Sequence, residues 1–272
     1  MALSDLLDVL VQQVRKHSKV KPRVAILLGT GLGGVAKKIK TDARIPFHEL
    51  KGMPSTTAES HKGELVLGTL AGVPVVAFSG RLHCYEGHSP ADVVVPVRLA
   101  KALGAKVLIM GSAVGGLNPG YQVGDITVLA DHINLMGISP LVGPNDEKVG
   151  PRWPDMFNTY DAKLIDLASE VALSQKLNLA KAVYVGVLGP NLETRAEYRM
   201  LRNLGGDVVG MSTVPEAIAA VHCGLRTLAF AIVTDRCIAD ALEPANVPKI
   251  IAAANGAEPV LTGLITAILP KI

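Results

Sequence analysis

Residues 24–34 read VAILLGTGLGG. Five consecutive apolar residues running into glycines are what a strand buried on both faces looks like where it leaves a parallel sheet. Gly29, Gly31 and Gly34 satisfy the G-x-G-x-x-G spacing of a dinucleotide-binding turn. That use requires a second strand ending in an acid about 20 residues further on, to hold a ribose. The stretch 40–54 is polar and carries Pro46 and Pro54, so the nicotinamide reading fails its own test. Two readings remain: a turn whose backbone N–H groups and Thr30 hydroxyl cradle a phosphate, or a tight strand-to-helix turn with no ligand.

Working outward, further apolar runs at 73–78, 107–110, 126–129, 183–188 and 227–233 alternate with helical patterns at 91–103, 161–175, 195–203, 214–222 and 247–268. Alternation of this kind implies an α/β fold with helices packed on a mostly parallel sheet. Residues 64–70 and 73–78 are separated by Ala71 and Gly72 and read as an added hairpin. Leu3, Leu6, Leu7, Leu10, Val11 and Val14 predict an amphipathic N-terminal helix rather than a signal peptide. With no linker, repeat or composition shift, 1–272 is expected to be one domain. The stretch 136–154 is irregular, rich in proline and glycine, and contains Trp153; loops of that length usually have a function.

Composition narrows the function classes. Of 272 residues, 49% are hydrophobic and 19% charged, with a net charge of +3 and no block of either sign. Binding of nucleic acid or membrane through bulk charge is therefore not expected. No run approaches the roughly 20 apolar residues of a bilayer span. Cys84, Cys223 and Cys237 lack metal or redox spacing and suit a reducing cytoplasm.

Several strand ends carry chemistry-bearing residues. GRLHCYEGH (80–88) places Arg81, His83, Tyr85, Glu86 and His88 directly after an apolar run, where ligands of open α/β sheets bind. Arg81 offers a planar fork matched to phosphate oxygens, and Glu86 suits the task of orienting His83. VLIMGSAVGGLNPG (107–120) follows a strand with Ser112, Ala113 and glycines, which permit close backbone approach or form a packing turn. In VVGMSTVPEAI (208–218), Ser212 or Thr213 reads as a helix N-cap with Glu216 near the capping-box position. Glu193 in GPNLETRAEYR opens another helix and fits either dipole compensation or a site. Asp235 in AFAIVTDRC ends a strand, as a site acid or a turn cap. His61 and His132 stand alone, and no metal set stands out.

In this order the segments LLGTGLGG, GRLHCYEGH, GGLNPG, DHINLMG, GPND, GPNLET, GMSTVPE and VTD resemble the trimeric purine nucleoside phosphorylases and their relatives acting on 5'-methylthioadenosine. The resemblance spans nearly the whole chain, and GMSTVPE with GRLHCYEGH is its most specific part. It implies a single α/β domain with a mixed, partly barrel-like sheet flanked by helices, assembled as a homotrimer. It further implies that phosphate is held by Thr30, His61, Arg81, His83, Ser212 and the Ala113 backbone N–H, with Glu86 supporting the histidine. Tyr85 and Met211 are implied to contact ribose, and Trp153 to enter a neighbouring subunit's site. Glu193 and Asp235 are implied to face the purine between Leu192 and Val209, with Asp235 assisting the leaving base. Inorganic phosphate is then a co-substrate, no metal or organic cofactor is needed, and the purine base is salvaged.

Two departures bear on the substrate. Members acting on 6-oxopurines usually carry Asn at the place of Asp235 and His at that of Val247, and both changes lean toward 5'-methylthioadenosine. Glu193 leans the other way, because a carboxylate accepts from N1–H of hypoxanthine or guanine and faces only an acceptor at N1 of adenine. The expected substrates are inosine and guanosine, with 5'-methylthioadenosine phosphorolysis as the alternative.

Overall fold

The computed structural model describes residues 2–29, 33–57 and 62–272. Nine strands are present among the described residues: β1 (Val24–Leu28), β2 (Lys40–Pro46), β3 (Glu64–Leu70), β4 (Val73–Ser79), β5 (Val107–Gly116), β6 (Ile126–Asn134), β7 (Ala180–Gly186), β8 (Val208–Gly210) and β9 (Arg226–Arg236). The helices are α1 (Leu3–His17), α2 (Gly33–Lys38), α3 (Pro90–Val93), α4 (Val95–Leu103), α5 (Ala162–Ser174), α6 (Arg195–Asn203), α7 (Val214–His222) and α8 (Val247–Ile268).

All five residues of β1 are buried, because it pairs in parallel with β4 on one side and β5 on the other. The sheet order is β2-β3-β4-β1-β5-β8-β7-β6-β9, and β9 pairs back onto β5. Strands β5, β8, β7, β6 and β9 thus close on themselves, while β1, β4, β3 and β2 extend from the ring as an open wing. This is the mixed, partly barrel-like α/β arrangement that was expected. The hairpin of β3 and β4 is in register from Glu64 opposite Ser79 to Leu70 opposite Val73.

Three local expectations need correction. The polar stretch after α2 contains β2, an edge strand whose Lys40, Thr41 and Asp42 face solvent, so its apolar content is low for a strand. The helix expected at 91–103 is divided into α3 and α4 at Val94. Helix α8 has the length and apolar composition of a bilayer span, contrary to the reading that no segment does. In the fold it is a core helix: Ala254, Leu261, Leu264, Ile265 and Ile268 are buried, and it packs on β9, α5 and α2.

The stretch 136–154 has no regular structure but is pinned by side chains. Arg152 Nη1 donates to the carbonyls of Leu141 and Gly143, Asn145 bridges Gly150 and His222, and Asp146 accepts from the N–H of Ser4.

Candidate active site

The site begins where β5 changes partners. Its first half pairs with β1 as far as Gly111 opposite Leu28, and its end pairs with β8 from Gly115 opposite Val209. Between them, Ser112, Ala113 and Val114 are paired only with β9. The Gly111 carbonyl accepts from Arg81 on the open side, and the Val114 carbonyl lies 3.1 Å from Thr234 Oγ1 of β9. Alternation along the strand therefore turns the Ala113 N–H toward the open side. A cavity of about 200 Å³ fills the gap.

Arg81 forms one end of it. The side chain follows β4 inward and is 1% exposed. Its Nε donates to Glu216 Oε1 at 2.6 Å, Nη1 to the Gly111 carbonyl at 3.1 Å and Nη2 to Thr213 Oγ1 at 3.2 Å. One N–H on each terminal nitrogen remains for an anion. Gly29 makes this packing possible, since a Cβ there would lie 2.5 Å from the Gly111 carbonyl oxygen and 3.3 Å from Arg81 Nη1.

The opening of α7 is not the capping box expected from its sequence. Thr213 occupies the N-cap position at φ +66° without a side-chain cap bond, and its hydroxyl serves Arg81 instead. Glu216 is fully buried and neutralises Arg81. A non-glycine residue in the left-handed region is uncommon and is kept by its surroundings. Here the ion pair and Tyr184, whose hydroxyl accepts from the Ser212 N–H at 3.1 Å, supply them. Ser212 lines the cavity, its hydroxyl 3.5 Å from Tyr184 Oη and 3.4 Å from Thr213 Oγ1. Ser112 Oγ, buried at the same end, has no hydrogen-bond partner among the described residues.

His83 and Tyr85 form the next part of the wall, with rings stacked at 4.6 Å. Glu86 does not line the cavity; it stands behind His83, its Oε1 accepting from the ring Nδ1 at 2.8 Å and from the His83 backbone N–H at 2.9 Å. Burial works to raise the Glu86 pKa, but hydrogen bonds from the Thr57 N–H and hydroxyl and from His83 hold it at about 2. A carboxylate of that kind only accepts, so His83 Nδ1 carries a proton toward it. Burial, together with the Arg81 charge, lowers the His83 pKa.

At the opposite end two carboxylates converge. Glu193 lies just before α6, whose Thr194 and Glu197 form a reciprocal cap, and Asp235 lies near the end of β9. Burial raises the Glu193 pKa, and the charges of Glu197 and Asp235 add to the effect. Leu192, Val209, Met211, Tyr198, Cys237 and Ile250 complete this part of the wall. A second cavity of about 500 Å³ shares Glu193, Asp235, Tyr198 and Ile250 and opens toward Pro244 and Lys249.

The cavity thus brings together Arg81, His83, Tyr85, Ala113, Leu192, Glu193, Val209, Met211, Ser212 and Asp235. Thr30, Gly31 and His61 lie outside the described residues. The Gly34 N–H, expected to help cradle an anion, is taken by Glu258 of α8. Trp153 is 83% exposed and away from its own cavity. Val247 does not line either cavity, whereas Ile250, one turn further along α8, lines both. Sequence reading missed Glu216, Tyr184, Tyr198, Cys237 and Ile250. The one available signal was Tyr198 with Leu201, the buried pair on an otherwise polar helix.

Residues 23–270 match the model of the phosphorylase superfamily. The chain belongs to this superfamily, among the purine nucleoside phosphorylases. Purine nucleoside phosphorylase 1 of Bacillus subtilis (strain 168) is 42% identical over 233 residues, covering 86% of each chain. Among solved structures, Schistosoma mansoni purine nucleoside phosphorylase in complex with inosine superposes with a TM-score of 0.92 at 36% identity, covering 98% of this chain and 96% of that one. The complex of the Schistosoma mansoni enzyme with adenosine gives a TM-score of 0.93 at 37% identity, covering 99% and 98%.

Proposed function

We propose that the protein cleaves the glycosidic bond of purine nucleosides with inorganic phosphate, releasing base and pentose 1-phosphate, with inosine and guanosine as its main substrates. The observation that carries this reading is one cavity with a buried cation and backbone donor at one end and two carboxylates at the other. A phosphate suits the first end and the N–H-bearing rim of a purine the second.

When the bond between the sugar and the base breaks, its electron pair leaves with the base and positive charge builds at the anomeric carbon. A phosphate dianion beneath the sugar stabilises that charge and then bonds to the carbon. The two remaining Arg81 N–H groups, the Ala113 N–H and the Ser212 hydroxyl position the phosphate. His83, oriented by Glu86, adds a ring contact to the phosphate at the same end of the cavity. Asp235 assists the departing base, help typically worth about 10² to 10⁴ in rate. Thr30 and His61 complete the phosphate site, Tyr85 and Met211 bind ribose, and Glu193, Leu192 and Val209 hold the base. Phosphate is the co-substrate, and no metal or organic cofactor takes part.

The working assembly is a cytoplasmic homotrimer in which Trp153 reaches a neighbour's ribose site; the exposure of Trp153 on the irregular stretch and of Phe157 just beyond it supports it. Substituting Trp153→Ala should raise KM for nucleoside several-fold while leaving the fold intact by circular dichroism. An unchanged KM removes Trp153 from the site.

The decisive assay measures base released from inosine, guanosine, adenosine and 5'-methylthioadenosine with and without phosphate. Phosphate-dependent release from inosine and guanosine is expected. Turnover confined to 5'-methylthioadenosine would replace the 6-oxopurine reading, and phosphate-independent release would refute phosphorolysis.

A further inference from the structure

We propose that Cys237 is a positioning residue for the Asp235 carboxylate at the base end, and that through it the chain sets its preference between 6-oxo and 6-amino purines. The inference rests on the phosphorolysis reading and deepens it.

Cys237 is held rigidly. Its N–H donates to the Gly116 carbonyl at 2.8 Å, and its side chain occupies the space above Gly115, where a Cβ would come within 2.5 Å of Sγ. From there Sγ lies 3.1 Å from Asp235 Oδ2. Burial and the Asp235 charge raise the thiol pKa far above its ordinary range, so the group is an S–H donor. The other carboxylate oxygen has a less committed partner. Thr234 Oγ1 is 2.9 Å from Asp235 Oδ1 but also 3.1 Å from the Val114 carbonyl, and it has one proton for both. The thiol and the Thr234 hydroxyl thus hold one oxygen each, and together they fix the plane of the Asp235 carboxylate.

Tyr198, on α6, lines the cavity beside Glu193. Both it and Cys237 sit in a small apolar cluster with Leu117, Val185, Leu201 and Val209, separate from the main core that underlies the phosphate end.

The two carboxylates act in opposite directions on the base. An Asp235 held as an acceptor matches a 6-amino N–H and opposes a 6-oxo oxygen. An accepting Glu193 matches the N1–H of a 6-oxopurine and opposes the bare N1 of adenine. Loss of the thiol frees Asp235 to turn away from a 6-oxo group, favouring inosine.

The test measures kcat/KM for inosine and adenosine at saturating phosphate in the intact protein and in Cys237→Ala, Cys237→Val and Cys237→Ser. Cys237→Ala should raise the inosine-to-adenosine ratio by about threefold to tenfold, the scale of one hydrogen bond. Cys237→Val should do the same, and Cys237→Ser, which restores a donor, should return it toward the parent value. Ratios unmoved while both rates fall together would overturn the proposal, as would a serine variant no different from alanine. If the alanine variant fails to fold, Cys237→Val decides: a raised ratio supports the proposal and an unchanged one overturns it. Absence of base release by the parent protein would instead overturn the phosphorolysis reading beneath it.

Discussion

The two ends of the cavity are built differently. At the Arg81 end, where phosphate is proposed to bind, donors come from the backbone at a gap in the sheet and from Arg81, itself buried and neutralised by Glu216. At the base end, side chains do the work: Glu193 and Asp235 lie on segments joined to the sheet at one side, over a small separate cluster and beside a larger cavity. A geometry set by sheet and buried charge tolerates little change, whereas one set by side-chain contacts can be retuned. The comparison assigns rate to the first end and selectivity to the second.

The largest test removes Arg81. Arg81→Ala should reduce kcat/KM by about 10² to 10³ for inosine and adenosine alike, leaving their ratio unchanged. It should also destabilise the protein by about 3–5 kcal/mol, because Glu216 is left buried without its partner; adding Glu216→Ala should recover part of that loss in denaturant titrations. A ratio that shifts with Arg81 would break the division between the two ends.

Asp235→Asn should do the reverse, raising the inosine-to-adenosine ratio by about tenfold through the donor it gains, with phosphate KM unchanged. Equal change for both nucleosides would take Asp235 out of base selection.

The smallest effect concerns Glu86. Its pKa in the folded protein, about 2, lies below the ordinary 4.5, so the stabilisation is present above pH 4.5 and is lost as pH falls from there toward 2. Melting curves of Glu86→Gln should show a shallower fall across that window. An identical fall would mean that Glu86 contributes nothing to acid stability.

Much of the Arg81 end of the cavity was legible because its residues follow strand ends, and strand ends were marked by runs such as VAILL. Legibility failed where a residue answers to a distant partner. Glu216 satisfies a local capping pattern, yet its partner Arg81 is 135 positions away. Tyr198 and Cys237 share a cluster only once α6 is laid beside the segment that follows β9. The gap at Ser112–Val114 depends on where β1 stops and β8 begins, which no local run encodes, and β2 was hidden by its edge position. Closure of the sheet came from resemblance, because strand patterns do not say which strands pair.

The most direct measurement is a crystal structure of the protein with phosphate and hypoxanthine bound together. Phosphate is predicted within hydrogen-bond distance of Arg81, the Ala113 N–H and Ser212, with the base against Glu193 and Asp235. Phosphate seated at the carboxylates, or a base occupying the Arg81 end, would contradict the account.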